Sequence, residues 1–103
     1  MMASTPAPPY FAVIFTSIRT GNEDGYSATA RRMAALAAEQ PGFLGMESAR
    51  QDIGITVSYW KSLDDIRQWK EQAEHLAAQE RGKSDWYQSY RIRICKVERE
   101  YGI

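Results

Sequence analysis

The segment Tyr10–Thr20, YFAVIFTSIRT, constrains the fold of this chain more than any other. β-Branched and aromatic residues dominate it, the composition that strands favour. Alternation sets Phe11, Val13 and Phe15 on one side and Ala12, Ile14 and Ile18 on the other. Both sides are apolar, so the segment reads as a central strand covered on two faces. A chain of 103 residues has room for one such sheet with its helices, and for one domain.

The remaining segments alternate around that strand. Gly21, Asn22 and Gly25 supply turn chemistry, and Asp24 is placed to cap a helix running to Gln40. In that helix Tyr26, Ala30, Met33, Leu36 and Ala37 form a stripe at helical spacing, and Pro41-Gly42 stops it. Phe43–Arg50 and Ile55–Trp60 read as strands joined by a short antiparallel connection. Ser62 then sits as an N-cap, with Asp64 and Asp65 in the first turn to suit the helix dipole. Ile66, Trp69, Ala73, Leu76 and Ala77 follow as the apolar stripe of a second helix that ends near Arg81 at Gly82. Asp85, Trp86 and Tyr87 suit a short helical turn. Tyr90–Tyr101 reads as a last strand, with Ile92 and Ile94 on one face and Arg91, Arg93 and Cys95 on the other.

The order βαββαβ is the ferredoxin-like, α+β pattern: a four-stranded antiparallel sheet with two helices on one face. Its other face is bare. With a first strand apolar on both sides, that face would present an oily patch to water, and a second copy packed sheet against sheet removes it. A homodimer is the expected assembly. Residues 1–9, MMASTPAPP, hold three of the four prolines and read as a disordered tail before a single domain of residues 10–103. They carry neither the basic residue nor the apolar stretch of a targeting signal, and the run Phe11–Phe15 is too short to span a bilayer. The expected location is the cytoplasm, with no membrane contact.

Composition removes several function classes. Thirteen basic against thirteen acidic residues leave no net charge to recruit nucleic acid. One cysteine, Cys95, allows no internal disulfide and no cysteine-cluster zinc site. One histidine, His75, allows no multi-histidine metal centre in a single chain. No metal and no cofactor is expected.

Four features together resemble the antibiotic biosynthesis monooxygenase-like family of dimeric α/β barrels. They are the Pro41-Gly42-Phe43 break, the strand ITVSYW over 55–60, the Lys61-Ser62 turn, and Trp69 nine residues after Trp60. The resemblance spans Tyr10–Tyr101 and implies the barrel fold. Members oxidise aromatic polyketides without a cofactor, degrade haem, or have no assigned activity. In the quinone-forming oxygenases a cavity tryptophan follows the third strand, where this chain has Trp60, and an asparagine stands four residues earlier, where it has Thr56. The haem-degrading members have a tryptophan matching Trp69. Their histidine falls at Gln79, and their first-strand asparagine has no counterpart here.

The residues themselves add roles and rivals to those roles. Thr56, Ser58 and Trp60 share one strand face, suited to a cavity for a flat, partly polar aromatic whose phenolic oxygen the Trp60 N–H would hold. The rival is a packed core tryptophan. Trp69 is either a second ligand platform or part of the helix stripe. His75 is the natural general base for a phenol. On a straight helix it points well away from Trp69, so it enters a shared cavity only if the helix bends between Gln72 and Glu74, with Glu74 as its orienting partner. Otherwise it lies at the surface or at a subunit contact. Arg93 would stabilise an enolate or peroxide anion, or else pair, like Arg91, with Glu47 or Glu98. The leading expectation is a small cofactor-independent monooxygenase for a phenol- or quinol-type aromatic, with His75, Trp60 and Arg93 catalytic and Thr56, Ser58 and Trp69 binding substrate. The alternatives are a non-catalytic ligand-binding or stress-related protein and, behind it, a haem-degrading enzyme.

Overall fold

A computed structural model describes residues 2–103, the side chain of Ala73 excepted. Strands β1 (Tyr10–Arg19), β2 (Phe43–Arg50), β3 (Gly54–Trp60) and β4 (Tyr87–Val97) form one antiparallel sheet in the order β2-β3-β1-β4. The apolar first strand is central, as its two oily faces require. Helices α1 (Tyr26–Ala38), α2 (Leu63–Glu71) and α3 (Ala73–Arg81) complete the α+β, ferredoxin-like fold, and a π-helical turn (Gly82–Trp86) leads from α3 into β4. Among the described residues no helix is long and apolar enough to cross a membrane.

Register assigns the faces. Phe11 pairs with Trp60, Val13 with Ser58 and Ile94, and Phe15 with Thr56 and Ile92. This inner face meets the helices: Leu36, Ala37, Trp60, Ile66 and Trp69 form the core, with Phe11, Val13, Met33, Phe43 and Met46 packed around it. The helices sit towards one half of the sheet, α1 against β2 and α2 against β3. Ile92 and Ile94 on the inner face of β4 therefore stay 38% and 53% exposed.

The outer face carries Tyr10, Ala12 and Ile14 of β1 beside Tyr59 and Val57 of β3 and Cys95 and Arg93 of β4. At one end the two chain termini cross it. The Ala3 amide donates to Glu47, the Tyr59 hydroxyl donates to Glu47 at 2.6 Å, and the Tyr10 hydroxyl donates to Glu100 at 2.7 Å. Burial, reinforced by the Glu47 carboxylate, pushes the Tyr59 phenol up to about 12. At the other end Ile18 and Ile55 remain 41% and 45% exposed.

Among the differences from the sequence expectation, three have an evident structural cause. Asp24 does not cap α1: Gly25, left-handed at φ 74°, holds the cap position without a side-chain bond, and the Asp24 carbonyl accepts from the Trp86 indole at 2.8 Å. The final strand is Tyr87–Val97 rather than Tyr90–Tyr101, because β1 supplies partners from Arg19, opposite Tyr87, to Tyr10, opposite Val97. A bulge at Ile18/Arg19 takes up the slack. The second helix is two helices. Gln72 leaves the helical region at ψ 131°, which divides the expected stripe: Ile66 and Trp69 are buried, Leu76 and Ala77 are exposed, and Ala73, its middle member, lies outside the described side chains.

Candidate functional site

The site grows from the end of β3. Alternation turns Ser58 and Trp60 inward, and both are buried, Trp60 completely. The Trp60 indole N–H donates to Ser58 Oγ at 2.9 Å, so it is not free to hold a ligand oxygen. Phe43 meets the Trp60 ring edge-on, with centroids 5.4 Å apart. Thr56, one step further along the same face, is half-buried.

Helix α2 starts where Ser62 accepts from the Asp65 amide at 3.1 Å, with Asp64 and Asp65 in its first turn. Its buried stripe brings Trp69 against Trp60, rings 6.1 Å apart and 26° from parallel. His75 then lies flat on Trp69, with centroids 4.0 Å apart and an interplanar angle of 11°. The result is a three-ring stack that begins in the core at Trp60 and ends at a half-buried imidazole. His75 thus reaches Trp69 because the chain bends at Gln72.

Its orienting partner is not Glu74. That carboxylate turns to α1 and forms a two-pronged ion pair with Arg32, at 2.8 and 3.0 Å. The His75 Nδ1 instead lies 2.9 Å from the Trp69 carbonyl oxygen. A carbonyl can only accept, so Nδ1 carries the proton and the neutral ring keeps its lone pair at Nε2. Burial lowers the His75 pKa, and the bond to Trp69 opposes that in part. The stack therefore holds an unprotonated base at neutral pH, backed by the buried Trp69 indole.

Arg93 does not join this group. It pairs with Ile14 and so stands on the outer face, with the sheet between it and Trp60. Among the described residues neither Arg91 nor Arg93 forms an ion pair, and Glu47 is occupied by Tyr59 and the Ala3 amide. Ser58, expected to bind substrate, is instead the partner of Trp60, and the supports that sequence reasoning missed are Phe43 as the edge-on wall of Trp60 and the Trp69 backbone as the partner of His75. No side-chain motif announces any of them, because each depends on strand register or on the helix break.

Two open clefts, each of about 490 Å³, lie nearby. One separates α1 from α3 and is lined by Thr29, Arg32, Met33, Glu74, Arg81 and Trp86. Its charged groups are committed to each other, Arg32 to Glu74 and Arg81 to Asp24 and Asp85, and the bond from Arg32 holds the Glu74 carboxyl below its ordinary value. The other lies over β2 and includes Phe43 and Met46. Among the described residues no three His, Cys, Asp or Glu side chains gather as a metal site. Neither cleft is lined by His75, Trp69 or Trp60, so the stack stands apart from both as the candidate site.

Residues 9–81 match the family model described as antibiotic biosynthesis monooxygenase. YqjZ of Bacillus subtilis, an uncharacterized protein, is 54% identical over 101 residues, covering 96% of this chain and 89% of YqjZ. SnoaB of Streptomyces nogalater, a cofactor-independent oxygenase, superposes with a TM-score of 0.76 at 15% identity, over 90% of this chain and 97% of SnoaB. Rv0793 of Mycobacterium tuberculosis superposes with a TM-score of 0.79 at 9% identity, over 90% of this chain and 99% of Rv0793. At such identities the likeness of structures speaks for the fold.

Proposed function

The chain belongs to the antibiotic biosynthesis monooxygenase family, and from that premise we propose that it oxygenates a phenol- or quinol-type aromatic without a resident cofactor. The observation that carries this reading is the His75 imidazole, flat on Trp69 with Nδ1 bonded to a backbone carbonyl and Nε2 left as a base. An electron-rich aromatic settling against the stack gives its hydroxyl or activated C–H proton to Nε2. The resulting anion is the reductant: it passes electrons to dioxygen, one oxygen atom ends in a new carbonyl, and the other leaves as water. The protein contributes position and a proton acceptor. Trp60 and His75 take the two faces of Trp69, so the substrate meets the imidazole itself; Trp69 backs that ring, Trp60 backs Trp69, Ser58 supplies the bond that fixes Trp60, and Thr56 a hydroxyl further along the same strand face.

The assembly that goes with this reading is a homodimer joined through the outer sheet faces. Arg91 and Arg93 line that face and belong to the subunit contact rather than to the stack.

Oxygen uptake with a panel of anthrones and quinols tests the activity. His75→Ala is expected to lower the rate by about 100-fold or more, the usual worth of a positioned base. Equal rates for the wild type, His75→Ala and Trp60→Phe would end the oxygenase reading. One observation favours a binding protein without chemistry: Trp60 is fully buried and its N–H is spent on Ser58. Such a protein quenches its tryptophan fluorescence with the same aromatics and consumes no oxygen.

A further inference from the structure

Six positions separate Trp69 from His75. On an unbroken helix that spacing puts the two side chains about 9 Å apart along the axis and about 120° apart around it. Here their rings are 4.0 Å apart and nearly parallel. Everything that closes the gap passes through Gln72. Its backbone turns extended, at φ −63° and ψ 131°, ending α2 and starting α3. Its own amide donates to the Trp69 carbonyl at 3.2 Å, and its carbonyl accepts from the Leu76 amide at 2.9 Å. Its side-chain Oε1 accepts from the His75 backbone amide at 2.9 Å. Gln72 thus caps α3 at the very residue that carries the imidazole, and the break leaves the Trp69 carbonyl within reach of Nδ1. Glutamine is not among the side chains that usually cap helices.

We infer that Gln72 is the positioning residue of the site: the helix break it forms and the bond from its side chain hold the His75 imidazole on the Trp69 indole. Its importance for the reaction rests on His75 being the base, but the placement of the ring is a separate and separately measurable matter. Among the described residues no charged side chain shares the task. Glu74 is turned to Arg32 on α1, and the shift of the His75 pKa comes from burial and the Trp69 carbonyl.

The chain has a single histidine, so in protein freed of any affinity tag its ring protons are read alone by proton NMR. In the wild type the stacked indole displaces the His75 ring protons upfield, and they titrate with a midpoint below 6.5. Gln72→Ala is expected to abolish the upfield displacement and raise the midpoint towards 6.5, the value of an unperturbed ring. Gln72→Ser, a shorter side chain that caps well, is expected to restore both. Should Gln72→Ala fail to fold, Gln72→Leu, which keeps the bulk and loses the acceptor, carries the same expectation. Unchanged ring shifts and midpoint in the folded Ala or Leu variant overturn the inference, as does a Gln72→Ser protein that behaves like them. If the ring moves as expected while His75→Ala consumes oxygen as fast as the wild type, Gln72 keeps its role and the oxygenase reading falls.

Discussion

Burial lowers the His75 pKa more than the Trp69 carbonyl raises it, so the folded protein keeps this ring neutral where a free histidine takes a proton. Below pH 6.5 the unfolded chain then holds more protons than the folded one, and stability is lost as pH falls through that window towards the lower folded value. Urea midpoints measured between about pH 7.5 and about pH 5 bracket the window. They should fall more steeply for the wild type than for His75→Phe, which keeps a flat ring and cannot titrate. A second consequence belongs to Ser58. Removing its hydroxyl leaves the wholly buried Trp60 N–H without its acceptor, at a cost of about 1–3 kcal/mol. Ser58→Ala should show that loss in denaturant unfolding, and Ser58→Thr should recover part of it. Alternation along ITVSYW is enough to place Thr56, Ser58 and Trp60 on one face. It says nothing of which hydroxyl the indole chooses, because that depends on a rotamer.

Strands and the first helix were legible because their signals are local. Alternating apolar residues, the Pro41-Gly42 stop and the Ser62 cap each act within a few positions. The break at Gln72 has no such signal: KEQAEH contains neither glycine nor proline, and every residue in it suits a helix. What competes with helix continuity is tertiary, the packing of His75 on Trp69, and only the geometric mismatch of six residues pointed to it. The ends of β4 were also misplaced for a non-local reason, since the extent of β1 sets them. At Gly42, by contrast, element boundaries have a local cause that can be tested. Its φ is 79°, its carbonyl accepts from the Lys61 amide at 2.8 Å, and a Cβ there would run into the Asp65 carboxyl that also bonds the Ser62 cap. Left-handed backbone alone costs an alanine about 1–2 kcal/mol. Gly21, at φ 95°, has open space where its Cβ would stand. Thermal unfolding should therefore show Gly21→Ala losing the strain alone and Gly42→Ala losing more, the excess being the displaced cap.

At the scale of the molecule the proposed homodimer raises the question of which apolar surface a second copy would cover, because the sheet leaves some on both faces. The oily first strand, read from sequence, points to the outer face alone. The structure adds the inner side of β4, where Ile92 and Ile94 stay wet because the helices sit over β2 and β3. The outer face is the one that fits a sheet-to-sheet contact: no helix stands on it, the termini occupy only the Tyr10–Tyr59 end, and Ile18 and Ile55 lie open at the other. Each isoleucine fully removed from water there contributes about 1.5–3 kcal/mol before the entropic cost of association. A lysine amid such a contact forfeits that gain and brings an unpaired charge into it. Sedimentation at micromolar concentration should therefore find the wild type as a dimer and Ile55→Lys as a folded single chain. Ile94→Lys places the same charge on the inner face and should remain a dimer, with any loss confined to ligand binding beside the stack. If Ile94→Lys dissociates and Ile55→Lys does not, the subunits meet through the inner face of β4. A wild type that sediments as a single chain removes the dimer altogether, and leaves Arg91 and Arg93 on open surface.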